Sequence, residues 1–184
     1  MKLSKISVSL AALMMFAGGG VAIAANPMVG GAAMFETKNI VENALNSKDH
    51  TTLVAAVKAA GLVDTLSSAG PFTVFAPTNA AFDKLPAGTV DTLLMPENKA
   101  MLTAVLTYHV VPGTLTAADL AAKAQANGGK AVLTTVQGAK LTVWGKDGKW
   151  YVTDAKDGMA QITIADVKQS NGVIHVVDSV LLPN

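Results

Sequence analysis

The stretch GPFTVFAPTNAAF, residues 70–82, decides how this chain folds. Its Gly70-Pro71 pair ends any preceding helix, and the aromatic and β-branched residues at 72–75 favour a strand. Thr78 follows at a position where its hydroxyl can cap the first turn of a helix that begins with Asn79. The stretch therefore predicts a strand that runs directly into a capped helix.

Helical periodicity precedes this stretch, and strand-like patterns dominate the later part of the chain. Between Asn39 and Leu66 apolar residues recur at helical spacing, which predicts two or three short helices, the second ending at Gly61. A further helical pattern at 101–106 leads into Tyr108. Strand-like runs follow at residues 132–136, 141–144, 150–153, 162–167 and 173–182. Helices first and strands mostly afterwards predict an α+β architecture, not alternating βαβ units.

A hairpin in the C-terminal half has a predictable register. The Asp147-Gly148 pair suits the positive φ angles of a type I′ turn. Counting outward from that turn sets Trp144 opposite Tyr151, on the sheet face opposite to the one that holds Val143 and Val152. An aromatic cross-strand pair stabilises a sheet by about 0.2–1 kcal/mol, and an outward aromatic pair is also a common binding anchor. Both roles remain open for Trp144 and Tyr151.

Composition narrows the class of protein. Among the 184 residues there is no cysteine, and all 14 basic residues are lysine. The lack of cysteine excludes disulfides, thiolate metal sites and cysteine nucleophiles. The chain also lacks the planar guanidinium fork that usually reads guanine or phosphate, and its net charge is near neutral. We therefore expect no nucleic-acid partner.

The N-terminus has the pattern of a secretory signal peptide. Lys2 and Lys5 precede an apolar run, 6–17, that is shorter than the roughly 20 residues needed to span a bilayer. Ala22-Ile23-Ala24 then offers a cleavage site before Ala25. We expect a secreted or periplasmic protein that meets a membrane only during export.

Three segments follow from this pattern. Residues 1–24 are the predicted signal peptide, residues 25–34 a small, Gly-containing flexible tether, and residues 35–184 a single domain. Removal of the two signal lysines changes 14 basic against 13 acidic residues (+1) into 12 against 13 (−1). The exported part is therefore also close to neutral.

The chain resembles the fasciclin (FAS1) family at three places. These are residues 70–82, the sequence YHVVPG at 108–113, and NGVIHVVDSVLLP at 171–183. They are similar in order and spacing to the family's first box, its Tyr-His motif and its second box, and the resemblance extends from about Phe35 to the C-terminus. It implies a compact wedge of about seven strands with several short helices packed around it. It also implies an extracellular, periplasmic or cell-surface protein with an adhesive or matrix-binding role.

The resemblance also implies an interaction position. In animal members an Asp-Ile pair, five residues before the Asn-Gly of the second box, is linked to integrin binding, and Asp166-Val167 stands there in this chain. The signal peptide and single-domain size suggest a bacterial protein, so the resemblance transfers the position and not the integrin. We expect the surface near Asp166, Val167, Tyr108 and His109 to contact a protein or polysaccharide of the cell envelope or matrix. A turn-capping role for Asp166 is the alternative.

A carrier role is the second functional prediction. Some relatives bind apolar pigments such as carotenoids. The chain could therefore hold a carotenoid or a lipid in a groove near residues 108–113, which we call the Tyr-His segment.

The histidines predict structure and not catalysis. His109 and His175 lie in apolar, strand-like runs, where a buried imidazole usually pairs with the backbone. Strand geometry separates His175 from Ser179 by about 13 Å, whereas a base must lie within about 3 Å of its nucleophile. No metal-binding spacing and no G-x-S-x-G turn is present in the sequence. We expect no enzymatic activity, metal or cofactor, and we expect Thr78, Asn79 and His175 to be structural.

Overall fold

The computed structural model describes residues 26–183. Within this range the helices are α1 (Ile40–Asn46), α2 (Thr51–Ala60), α3 (Val63–Ser67), α4 (Asn79–Asp83), α5 (Thr89–Leu94), α6 (Lys99–Tyr108) and α7 (Ala117–Ala126). The strands are β1 (Met28–Val29), β2 (Ala32–Ala33), β3 (Phe72–Pro77), β4 (Val110–Pro112), β5 (Lys130–Thr134), β6 (Lys140–Lys146), β7 (Lys149–Thr153), β8 (Met159–Gln169) and β9 (Gly172–Val177). None of the described helices is both long enough and apolar enough to cross a membrane.

Seven strands form one sheet in the order β4-β3-β9-β8-β7-β6-β5. Strands β3 and β9 pair in parallel, and the other neighbours in the sheet are antiparallel. The Val136 amide donates to the Val110 carbonyl at 2.7 Å, which links the β5 end of the sheet to β4. The sheet is therefore nearly closed, and the predicted α+β fold with seven strands and several helices is confirmed.

The predicted hairpin register is also confirmed. Asp147 and Gly148 both have positive φ, 53° and 74°, at the turn between β6 and β7. Trp144 lies opposite Tyr151, and the next pair along the ladder is formed by two fully buried valines. A two-residue turn of this kind fixes the strand pairing, because its backbone twist matches that of the flanking strands.

The predicted tether at residues 25–34 is wrong for the part that the structure describes. There β1 pairs with β2 across Gly30 and Gly31, both at positive φ. Val29 and Met34 are buried against the helices. Two glycines can make a tether flexible, but between short apolar runs they also favour a hairpin. The predicted signal peptide, residues 1–24, lies outside the described residues.

Buried apolar side chains form two clusters. The first lies between the N-terminal helices and strands β3, β8 and β9, and includes Ile40, Leu53 and Val167. The second lies between α7 and strands β5–β8, and includes Leu120, Val143 and Val152. The second cluster packs on one face of strands β5–β8. Because successive side chains of a strand point to opposite faces, every other side chain of these strands faces away from the core.

Candidate functional site

His109 lies at the C-terminal end of α6, not in a strand, and both of its ring nitrogens are paired with the backbone. The Leu181 amide donates to Nε2 at 3.0 Å, so Nδ1 carries the proton and donates to the Val105 carbonyl at 2.8 Å. This pattern requires a neutral ring, because a protonated imidazole has no acceptor to offer Leu181. Burial lowers the pKa of His109 to about 4. The side chain therefore fastens the C-terminal segment to α6.

Tyr108 makes a similar connection. Its hydroxyl donates to the Lys140 carbonyl at 2.9 Å and accepts from the Ala155 amide at 3.0 Å. Burial raises the pKa of this phenol, so the group stays protonated and able to donate. The residue joins α6 to β6 and to the turn after β7.

Asp166 and His175 are linked across an irregular part of the sheet. The ladder of β8 and β9 shifts register near Asp166, whose φ is +58°. The Asp166 amide donates to His175 Nδ1 at 3.3 Å, and His175 Nε2 donates to the Leu115 carbonyl at 2.8 Å. Asp166 Oδ1 accepts from the Ala117 amide at 2.6 Å, at the N-terminus of α7. The carboxylate is thus well placed to stabilise the positive end of that helix.

These positions correct the predicted contact surface. Tyr108 and Val167 are 0 % exposed and His109 is 2 % exposed, so their side chains lie in the interior and do not form a surface. Tyr108 and His109 end a helix that packs under the C-terminal segment, and the shift in β8 turns Val167 inward. Asp166 is only partly buried, and its carboxylate contacts the N-terminus of α7 and not a turn of its own, which favours a structural role of a different kind from the expected turn cap.

The residues expected to be structural also contact the backbone. Thr78 Oγ1 accepts from the Ala81 amide at 3.3 Å and so caps α4. Asn79 accepts from the Thr52 amide and donates to the Lys48 carbonyl, which connects α4 to α2 and the short turn before it.

The serine of the second box is not part of a catalytic triad. Ser179 Oγ donates to Asp178 and accepts from Lys84. His175 Nε2 donates instead to the Leu115 carbonyl, so it does not contact the serine. No group of three or more acidic or histidine side chains within residues 26–183 is arranged to hold a metal ion.

The outward side of strands β5–β8 lies opposite the second cluster, and we call it the open face. Strand pairing arranges it in rows that run across the four strands. One row holds Trp144 and Tyr151 between Lys130 and Gln161, and the next holds Thr142 and Thr153 between Val132 and Met159. The remaining members are Thr134 and Lys140 at one end of the face and Lys146 and Lys149 at the other.

The aromatic pair of the open face is held in place. The rings of Trp144 and Tyr151 stack with centroids 5.0 Å apart and planes inclined by 28°. Trp144 Nε1 also donates to Thr153 Oγ1 at 2.9 Å. Both side chains are half-buried, so a rigid aromatic surface remains accessible to a partner.

Two small apolar cavities lie inside the first cluster. Their volumes are about 40 and 30 Å³, and both are lined by Ile40, Leu53 and Val74. His109 borders the larger cavity and His50 the smaller one. Burial lowers the pKa of His50, and the nearby Ala76 carbonyl opposes this shift without completing a hydrogen bond to Nε2. That nitrogen has no hydrogen-bond partner in the described part of the chain, and nothing in the sequence indicated it.

A family model and several curated proteins are similar to this chain. A family model described as "Fasciclin domain" matches residues 48–183. The chain is 52% identical over 156 residues to "Protein sll1483" of Synechocystis sp., covering 85% of this chain and 79% of that protein. It is 41% identical over 145 residues to "Immunogenic protein MPB70" of Mycobacterium bovis, covering 76% of this chain and 66% of that protein.

Solved structures include a similar fold. A FAS1 domain pair from the insect cell adhesion molecule fasciclin I superposes with a TM-score of 0.70 at 21% sequence identity. The match covers 79% of this chain and 51% of the insect chain. At this level of identity the likeness supports the fold alone.

Proposed function

The chain belongs to the fasciclin family, and on that premise we propose that it is an exported binding module that performs no catalytic step. Its partner is a protein or a polysaccharide of the cell envelope or matrix. The chain itself acts as a secreted or periplasmic protein. The insect protein with a similar fold is named as a cell adhesion molecule, which is compatible with this role. The contact surface is the open face and not the Tyr-His segment.

One observation carries this proposal: the open face presents a rigid, accessible pair of aromatic side chains. Aromatic residues that are already fixed lose little conformational entropy when a partner binds. Tryptophan and tyrosine are also the residues that most often dominate binding energy at interfaces. The stacking of Trp144 on Tyr151 and the hydrogen bond to Thr153 supply this rigidity before any partner arrives.

The test compares binding of purified variants to an envelope and exopolysaccharide fraction from the source organism. We expect the double variant Trp144→Ala/Tyr151→Ala to bind at least about tenfold more weakly than the wild type, because both anchors are lost. Met101→Ala is the matched control, since Met101 is 58% exposed on α6, outside the open face. Thermal unfolding verifies that each variant is folded. Unchanged binding by the double variant would contradict the proposal.

The second candidate function is a carrier of an apolar small molecule such as a carotenoid or a lipid. It is favoured by the two apolar cavities and by His50 Nε2, which could donate to or accept from a single polar group on such a ligand. Ligand pockets usually enclose about 300–1,000 Å³, whereas these cavities measure about 40 and 30 Å³. A carrier would therefore have to open by movement of α1 and α2 away from the sheet.

Native mass spectrometry of the protein purified gently from its own exported fraction tests the carrier role. An added small-molecule mass, lost in a His50→Phe variant that still folds, would support it. A bare protein mass, together with no uptake of added carotenoid or fatty acid, would exclude it.

A further inference from the structure

We propose that the open face binds an anionic polysaccharide, whose sugar rings pack on the aromatic pair while its carboxylates meet the surrounding lysines. The inference rests on the proposed function and deepens it by naming the chemical class of the partner. Two observations support it: the open face has lysines and no acidic residue at its strand positions, and those lysines are spread along the length of the strands.

The open face is strongly asymmetric in charge although the whole chain is nearly neutral. Its strand positions include four lysines and no aspartate or glutamate. Within residues 26–183 the only ion pair is Lys84–Asp178, at the neighbouring edge of β8 and β9. None of the four lysines therefore forms an ion pair with a described carboxylate, including that of Asp147 in the turn between β6 and β7. Lys146 and Lys149 lie directly opposite one another. Like charges in that arrangement destabilise a sheet, and an anionic partner would relieve the repulsion.

The lysines border the aromatic pair along an extended path. Lys130 lies beside Trp144 in the same row, and Lys146 lies two residues further along β6. Lys140 lies at the opposite end of that strand. Lys140 and Lys146 lie six residue steps apart along β6, which corresponds to about 20 Å. Such a path suits a linear polymer with repeated charges better than a compact ligand with one charge.

The polar character of the face favours a sugar polymer over other anions. Thr142 and Thr153 lie in the row between Lys140 and the aromatic pair, where their hydroxyls can exchange hydrogen bonds with sugar hydroxyls. The chain contains no arginine, which is the side chain best suited to phosphate because of its bidentate fork. Lysine alone is adequate for carboxylates that are spread along a chain, since it acts as a point charge. We therefore infer a polymer that contains uronate residues.

The experiment measures the affinity of the protein for polygalacturonate and for its methyl ester, which has the same rings without the charges. We expect binding to polygalacturonate that weakens as sodium chloride is raised, and binding to the ester that is at least tenfold weaker. Trp144→Ala should lower the affinity for polygalacturonate at least tenfold. Lys130→Gln/Lys146→Gln should lower it several-fold and reduce its dependence on salt. Lys123→Gln, an exposed lysine on α7, is the matched control and should change nothing.

Several results would overturn the inference. These are no binding to polygalacturonate, equal binding to its methyl ester, or tighter binding to a single-stranded oligonucleotide or to vesicles of anionic lipid. If polygalacturonate fails while binding to the envelope fraction still requires Trp144 and Tyr151, only this inference is lost. If binding to the envelope fraction does not require them, the proposed function of the open face is lost as well.

Discussion

The Tyr-His segment and the open face differ in what their polar and aromatic groups contact. Tyr108 and His109 are buried, and each pairs with two backbone groups. Both partners of Tyr108 are distant in sequence, and His109 joins its own helix to the distant C-terminal segment. Trp144 and Tyr151 contact each other and a neighbouring threonine, and remain partly accessible. The segments that carry the family resemblance therefore hold the chain together, while the surface best suited to a partner lies in a hairpin outside them.

The physical reason is that a buried polar group must find a partner of fixed geometry, whereas a surface group need not. A buried imidazole that accepts one hydrogen bond and donates another admits few replacements. The side chains of an outward sheet face can vary with little effect on the fold. Changes in the two regions should therefore separate stability from binding.

The largest effect on stability is expected for His109→Ala. The change leaves the Leu181 amide and the Val105 carbonyl without this partner and opens a cavity, which together should lower the free energy of unfolding by about 3 kcal/mol or more. Urea unfolding followed by circular dichroism measures it. A loss below about 1 kcal/mol would show that the Tyr-His segment does not hold the fold.

Acidification should also weaken the fold. The folded pKa of His109, about 4, lies below the ordinary value of 6.5, so the unfolded chain binds more protons between these values. Stability is therefore complete above pH 6.5 and falls as the pH drops toward 4, by up to about 3 kcal/mol for this group. Burial also lowers the pKa of His50 and of His175, which adds to the loss in the same direction.

Two measurements check the pH prediction. Urea unfolding at pH 7 and at pH 4.5 gives the change in stability, and nitrogen chemical shifts of the imidazoles give the tautomers. We expect the proton on Nδ1 in His109 and on Nε2 in His175. A His109 that titrates near 6.5, or stability that does not change between the two pH values, would contradict the proposed pairing.

A smaller effect is expected at Asp166. Replacement by alanine removes the acceptor at the N-terminus of α7 and places alanine at φ +58°, which should cost about 1–2 kcal/mol. Asp166→Asn is the matched control, because asparagine tolerates this conformation and keeps a side-chain oxygen. Thermal unfolding of both variants measures the difference. Equal and negligible losses would show that the carboxylate is free to serve another purpose.

The smallest effect on stability is expected for Trp144→Ala. The cross-strand contact with Tyr151 and the bond to Thr153 should contribute no more than about 1 kcal/mol. Urea unfolding alongside His109→Ala gives the direct comparison. A loss as large as that of His109→Ala would remove the distinction between the two regions.

Local sequence chemistry predicted the local parts of the fold. The Asp147-Gly148 turn fixed the register of β6 and β7, and Gly61 ends α2 in a left-handed conformation. The apolar patterns do not predict α7, although Thr116 and Asp119 form a capping box at its start whose spacing is visible in the sequence. A search for that spacing would have found it.

Long-range features could not be predicted from the sequence. The parallel pairing of β3 with β9 joins segments about 100 residues apart, and no local pattern specifies it. The positive φ of Asp166 depends on a register shift against β9, and its carboxylate finds its partner only once α7 is packed nearby. The same holds for Tyr108 and His109, whose burial depends on the C-terminal segment and on β6.

The most direct test of the separation between fold and binding is the affinity of Trp144→Ala and of Asp166→Asn for the same envelope and exopolysaccharide fraction, measured at a temperature where both are fully folded. We predict at least tenfold weaker binding for Trp144→Ala and wild-type binding for Asp166→Asn. Wild-type binding by Trp144→Ala together with a loss in Asp166→Asn would contradict the assignment of the open face and return the contact surface to Asp166.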